Sequence, residues 1–531
     1  MNWHFERGTE TIYIPYEDKE INLSDDVVPQ HVRDAVDARR KLGPDFRSTM
    51  GHAAGGDEFL DTLDGIGYWD FLPFQTGTLF PGSTISWPGI CFETVSATME
   101  ATSDGGTITF SASGKKELFC NELYWLATRQ KGRVPIVKDN GDTVVTIDSW
   151  EQYEWSDVQN YGMHVFLFPG TWEDTLASVL YTVSLFWDPN SHMVAENKQF
   201  FAENMQWAML PRRINQVNVS SSDIRSGDYL AILRMDGLDP LIGWGTGGRT
   251  GHTAVALWFE DGLYVCESTD TEGLPQLVYW PPPYGVIRTP YDQWIQQAME
   301  ANYHVAWLPL DKQYSDRFDE SAARAFFESV EGSPYGWHNF MFTFLDTEAN
   351  NLPRPITPDM FEDLIGFLER LIPADQKPSI YNMLIMGYNH RLQSNCTDLH
   401  CIYEIIDPIP MSLAELTAVP ENDSWRYGGN VSMVCDVFVC EVWKAAGIFE
   451  DPINDLIQCT EQTPKDTYQM AIYSRDIRPK QCVEADYDLP YCQLMGTYQL
   501  TLPGFNSIEL YPDMNHVCPA LPPVYSRTPG C

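Results

Sequence analysis

His252 stands at the head of the apolar run in "GGRTGHTAVALWFEDGLYVCESTD", and Glu267 follows fifteen positions later. An imidazole beside a carboxylate is a general base with its orienting partner, the pair that proton transfer at a nucleophile needs. The candidate nucleophile is Cys435, which opens the helical pattern "CDVFVCEVWKAAG". Unpaired N–H groups and the dipole at a helix start stabilise a thiolate, the attacking form of cysteine. Plainer readings fit the same residues: a rim histidine with a solvated glutamate, and a disulfide partner in a chain with 12 cysteines. If Cys435 is free, eleven cysteines remain and at least one more is unpaired. Cys266, inside the strand that carries Glu267, is the natural candidate.

Positioning these groups falls first to a hairpin. Asp261 and Gly262 between two apolar runs signal a tight turn. A two-residue turn there pairs Glu260 with Leu263 and Ala256 with Glu267. Alternation then puts His252, Ala254, Ala256 and Glu267 on one face, with Glu267 four positions from His252, roughly 13 Å along a flat strand at about 3.3 Å per residue. Twist, a bulge or a longer turn must shorten that gap for the pair to touch.

Around the hairpin, "YLAILRM" reads as a strand and "GWGTGGRTG" as a loop that walls a cleft. "VIRTPYDQWIQQAM" reads as a short strand and helix, and "YHVAWLPL" as a strand. "TPDMFEDLIGFLERLI" is a helix with Thr357 as N-cap and Pro358 in its first turn. The Cys435 helix buries Phe438, Val442 and Ala445 at helical spacing and ends at Gly447. Upstream, "TITFSAS" and "TVVTI" alternate as strands, Cys91 and Cys120 flank the first of them, and "PGTWEDTLASVL" starts a helix at Thr171.

Composition bounds the partners. With 34 Lys plus Arg against 74 Asp plus Glu, the net charge of −40 repels nucleic acid and anionic lipid heads. A hydrophobic content of 44% over 531 residues describes a folded chain of several units. No window of about 18 uninterrupted apolar residues occurs, so no membrane span is expected. Cys482, Cys492, Cys518 and Cys531 lie in a Pro- and Tyr-rich tail, read as a loop-rich segment stapled by disulfides. Sequons at Asn22, Asn218, Asn395, Asn422 and Asn430 point to the same oxidising, glycosylating route. The location expected is secreted or lysosome- and vacuole-like, although "MNWHFERGTE" lacks the apolar core of a signal peptide. No cofactor and no metal are expected: HExxH and paired CxxC are missing, and His304, His338, His390 and His400 are scattered. "CTDLHC" from Cys396 to Cys401 would fit zinc, but a small disulfide loop is preferred.

The order of "SGDYLAIL", "TGHTAVALWFEDGLYVCES", "YGVIRTPYDQW", "GSPYGWHNFMF" and "VCDVFVCEVWKAAGIF" resembles the circularly permuted papain-like cysteine hydrolases. These are the NlpC-related group with YiiX-type enzymes and lecithin retinol acyltransferase. The resemblance runs from Ser226 to Phe449, interrupted by an insertion. It implies Cys435 as nucleophile, His252 as base, Glu267 as the residue orienting it, and Tyr335 lining the cleft.

Asp436 stands where the family often has Ser, and a negative charge there raises the thiol pKa unless it points away. Cys440, five residues on, fits the nucleophile's place less well. The implied fold is α+β: a permuted papain-like domain over 218–450 with an antiparallel sheet, a cysteine-bearing helix and a helical insertion at about 341–430. A β-rich accessory domain over 1–205 precedes it and a cysteine-rich extension over 451–531 follows.

The function implied is hydrolysis of an amide or peptide bond in a peptide or acyl-amide substrate through a thioester. A lipid acyltransferase or thioesterase is the alternative on the same scaffold, and a non-catalytic secreted binding or structural protein is the third reading.

Overall fold

Strands rich in Val, Ile, Thr and aromatic residues alternate along the chain with short amphipathic helices, and the computed structural model pairs every strand with antiparallel neighbours. It describes residues 68–510 with interruptions, the longest at 179–192, 270–282, 347–362 and 364–376. The helix expected from Thr357, the start at Thr171, Asn22, Asn430, Cys518 and Cys531 lie outside the described residues. The chain divides into two compact units, one of residues 1–183 with 356–419 and one of 184–355 with 420–531. Most of the stretch read as an insertion thus belongs with the N-terminal strands, and the C-terminal stretch belongs with the Cys435 helix.

The first unit is α+β, with two sheets. β1 (Phe74–Leu79), β9 (Met163–Leu167), β5 (Glu122–Ala127) and β6 (Gly132–Arg133) form one in that order, and β7 (Ile136–Val137) also pairs with β5. The other runs β2 (Thr84–Trp87), β3 (Phe92–Thr102), β4 (Gly105–Lys115) and β8 (Thr143–Ile147). β4 and β8 are the two alternating strands read from the sequence. Inward residues such as Val95, Ala97, Met99, Ile108 and Phe110 share one core with Tyr124 and Leu126. Inside it the Glu122 carboxylate accepts Cys91 N at 2.7 Å and the Tyr124 hydroxyl. The Cys91–Cys120 disulfide closes this corner.

The second unit is built on one six-stranded sheet of order β13 (Gly285–Pro290), β12 (Gly262–Thr269), β11 (His252–Phe259), β10 (Tyr229–Leu233), β14 (His304–Leu308) and β15 (Cys492–Met495). Four of its helices matter here: α1 (Leu238–Thr246), α2 (Tyr291–Glu300), α3 (Glu320–Val330) and α4 (Cys435–Ala445). One face buries Leu230, Ile232, Ala254, Val265, Val305 and Trp307 under α2, whose Trp294 is fully buried. α4 covers the other. Phe438 on α4 meets Phe327 of α3 at 6.2 Å, and Phe327 meets Phe259 of β11 at 5.7 Å. Trp443 packs 5.8 Å from Tyr229 and donates its indole N–H to Gly227 O at 3.0 Å. Gly447 takes φ 71°, the left-handed conformation expected at the helix end.

One expectation of local structure needs correction. The glycine-rich stretch read as a loop is helical up to Thr246, because α1 is buried around most of its circumference, Ile242 and Trp244 included, and its backbone groups are satisfied within the helix. The chain turns only at Gly247, with φ 70°. The described part of the cysteine-rich stretch is tied into the second unit: β15 extends the main sheet, and a buried Arg212–Asp486 pair at 2.6 Å pins it. Arg212 also donates to the carbonyls of Gln493 and Gly496.

Among the described residues, four disulfides join Cys91 to Cys120, Cys396 to Cys401, Cys440 to Cys459 and Cys482 to Cys492. The compact "CTDLHC" loop is therefore a cystine. Among the described residues, Cys266 and Cys435 are the free cysteines, and both are buried. No helix among those residues is long and apolar enough to cross a membrane.

Removing the Cys440–Cys459 bridge by a double serine substitution is expected to destabilise the protein by about 3 kcal/mol, the range for a loop of this size. Denaturant titration measures the loss, and non-reducing peptide mapping should find Cys435 outside any cystine.

Candidate active site

His252 is the first residue of β11, and its position is set by its neighbours. Gly251 lies so close to α1 that a Cβ there would come within 2.4 Å of the Asp239 Cα. Asp239 in turn holds Arg234, accepting from its backbone N at 2.7 Å, from Nε at 3.0 Å and from Nη2 at 2.7 Å. Asp236 stands 3.2 Å from the same guanidinium. Both carboxylates are buried with it, and such a charge is tolerable inside only when paired in this way.

His252 Nε2 lies 2.6 Å from Glu267 Oε2. Trp294 Nε1 donates to the other carboxylate oxygen at 2.9 Å. His252 and Glu267 are each 2% exposed, so neither is a solvated rim residue. The gap anticipated between them is closed by register. Phe259 pairs with Gly262 and Val255 with Cys266, two positions away from the pairing expected from a turn at Asp261-Gly262. Continuing that register puts Glu267 opposite Ala254, diagonal to His252. A shift of two keeps every side chain on its face. Sequence spacing therefore had the shared face right and the separation wrong.

Cys435 is the first residue of α4 and is 3% exposed. The chain reaches it through a close approach: Tyr335 bridges Met433 in parallel, and a Cβ on Gly336 would sit 2.8 Å from Met433 C and Val434 N. Ser268 on β12 donates to Met433 O at 2.7 Å. The Thr253 hydroxyl lies against the thiol and favours its charged form. Thr253 and Ser268 occupy the face of the sheet opposite to His252 and Glu267, since neighbouring strand residues point to opposite sides.

The four residues singled out from the sequence thus fall into two groups. His252 and Glu267 meet each other under α2. Cys435 lies under α4 with Thr253, and the Tyr335 ring is close enough to feel the charge on the sulfur. No hydrogen bond joins Cys435 to His252 among the described residues.

Asp436 does not point away from the thiol. Its Oδ1 accepts the Cys435 S–H at 3.7 Å. Burial, and after it the Asp436 charge, push the thiol well above its ordinary range; the Thr253 contact and the Arg234 charge act weakly against them. Burial also raises the Asp436 carboxyl, to about 8, with Asp466 adding to the effect.

Sequence reasoning missed Thr253, Trp294 and the Arg234–Asp239 pair. For Trp294 a signal existed in the amphipathic "YDQWIQQAM"; for the others the signal is tertiary. A cluster of Asp423, Glu441 and Cys459 brings potential ligand atoms within 4.8 Å of one another. Cys459 is in a cystine, and Lys444 Nζ sits 2.8 Å from Asp423, so a cation is already supplied by the chain. Of the sequon asparagines, Asn218, Asn395 and Asn422 are exposed. The chain matches no protein-family model, no curated protein and no solved structure.

Glu267→Ala strands a buried imidazole and a buried indole N–H, and a loss of about 3–5 kcal/mol is expected in chemical denaturation. Glu267→Gln, which keeps both oxygen positions partly filled, should lose less.

A second expectation concerns pH. Asp436 and Glu441 have raised folded-state pKa values, Asp436 to about 8. The folded chain therefore holds protons that the unfolded chain has already released, and stability falls as pH rises through the folded values. Asp228 and Asp236 act alike near 6, where His304, lowered to about 3 by burial, works in the opposite direction. From about pH 6.5 to 8.5 the melting temperature should fall, by at most about 1.4 kcal/mol of stability per pH unit for each group. Asp436→Asn should flatten that slope in calorimetry.

Proposed function

We propose that the chain is a cysteine-dependent hydrolase that cleaves an amide or peptide bond through a thioester, with Cys435 as the nucleophile. The observation that carries this reading is the state of one cysteine. Eight described cysteines are paired in disulfides and two are free, Cys266 inside a strand and Cys435 at the first residue of a helix, where it lies against the strand that begins with His252. An oxidising route that pairs neighbouring thiols yet leaves a helix-start thiol unpaired is what a working nucleophile requires. Helix-start N–H groups are also suitable donors for the oxyanion of a tetrahedral intermediate.

The motif order supports the same chemistry by its resemblance to permuted papain-like hydrolases, and this rests on the quoted residues alone. That resemblance gives the base's part to His252, oriented by Glu267, with Tyr335 beside the cleft. The alternation of β11 directs the His252 ring away from the sulfur, so the reading stands on the nucleophile and the bond class rather than on a completed triad. An acyl acceptor other than water would make the same chemistry a transferase; products formed with and without an amine or alcohol acceptor separate the two. Disulfides and exposed sequon asparagines support a secreted or lysosome-like setting.

One observation favours a non-catalytic reading: the thiol is buried and held protonated beside Asp436. A thiol-directed electrophile such as iodoacetamide-alkyne decides between them. On the folded protein, peptide mapping should place the label on Cys435, and Cys435→Ala should lose at least about ten-fold of it. Equal labelling of the two proteins would remove Cys435 as nucleophile.

A further inference from the structure

Two polar atoms near Cys435, Asp436 Oδ2 and Tyr229 Oη, are buried without a hydrogen-bond partner, and a third, Thr253 Oγ1, has only the sulfur against it. Their residues are 1% exposed, fully buried and fully buried. Asp436 accepts from the sulfur through its other oxygen, Thr253 lies against the sulfur, and the Tyr229 hydroxyl is close enough to feel both Cys435 and Asp436. Native structures seldom leave a buried polar atom unsatisfied, and a catalytic role is one of the reasons for which such an atom is kept. All three stand on the α4 face of the sheet, where His252 does not point.

We infer that Asp436 is the catalytic group that accepts the Cys435 proton, and that the Tyr229 and Thr253 hydroxyls receive the carbonyl oxygen of the acyl group. This rests on Cys435 being the nucleophile of an acyl-transfer reaction. The proton on Sγ passes to Asp436 Oδ1. The sulfur pair attacks the acyl carbon, the C–S bond forms, and the carbonyl π pair moves onto oxygen between the two hydroxyls. That pair returns, the C–N bond breaks, and the leaving nitrogen takes the proton from Asp436. Water then attacks the thioester carbon and gives a proton to the Asp436 carboxylate. The C–S bond breaks with its pair on sulfur, which recovers that proton.

Asp436 is suited to this by its surroundings. Burial and Asp466 raise its carboxyl to about 8, so it ionises near neutral pH. Tyr229 from β10 faces it, and Arg234, Asp239 and Tyr335 face the thiol.

The test is the rate of iodoacetamide labelling at Cys435 between about pH 5.5 and 9.5. It compares full-length parent, Asp436→Asn, Asp436→Ser, His252→Ala and Cys435→Ala, each checked for folding by circular dichroism. The parent rate is expected to climb through about pH 8. Asp436→Asn should slow it by about ten-fold or more, further than His252→Ala does, and push the rise to higher pH. An aspartate that only repels the thiolate predicts the reverse, so labelling that is unchanged or faster in Asp436→Asn overturns the inference while leaving Cys435 as nucleophile. Asp436→Ser repeats the comparison if the asparagine variant does not fold. The parent profile needs no variant: a plateau reached by about pH 7.5, in the ordinary histidine range, also overturns it. A parent that does not label at Cys435 removes the parent reading, and this inference with it.

Discussion

The packing of α4 onto β11 and β12 is the constraint on which the candidate site depends. A helix seated on one face of a sheet can touch only every second residue of each strand beneath it. Cys435 therefore meets Thr253, and the chain just before it meets Ser268, while His252 and Glu267 are turned to the far side under Trp294. Two polar groups sit back to back across one sheet. The aromatic contacts from Phe438 to Phe327 and from Trp443 to Tyr229 hold this seating in place.

Burial of charge is the second theme. The chain is strongly acidic, yet in the second unit two buried arginines are matched with carboxylates: Arg234 with Asp239 and Asp236, Arg212 with Asp486. The Arg212–Asp486 pair ties segments 274 residues apart, the Arg234 pairs fix a local turn, and removing one partner of either would leave a desolvated charge. Other buried carboxyls lack such a partner and answer by holding their protons, Asp436 among them. Desolvation is thus the common cause of both behaviours.

Much of the local architecture was legible. The strands at Tyr229, His252, Gly262 and His304, the helix from Cys435 with its glycine end, and the Cys396–Cys401 cystine all follow from periodicity, capping residues and close cysteine spacing. The hairpin register did not follow, because a turn signal locates a reversal only to within a residue or two. Here the tight pair is Phe259 with Gly262, so Glu267 reaches the neighbourhood of His252. The glycines of α1 misled for a related reason. Propensity disfavours them in a helix, and burial of Trp244 and Ile242 outweighs it. The grouping of 356–419 with the N-terminal strands left no mark in composition at all.

The amino-acid sequence by itself determined which residues share a strand face, where α4 begins and hence that Cys435 occupies its first turn. Those depend on repeat distances of the backbone, which operate over a few residues. Only the tertiary structure decided that α4 lies over Thr253 rather than over His252, and that the Asp436 carboxyl turns toward the sulfur. Both depend on which side of the sheet offers the better apolar seat, a choice made by residues scattered from Tyr229 to Trp443 that no local pattern records.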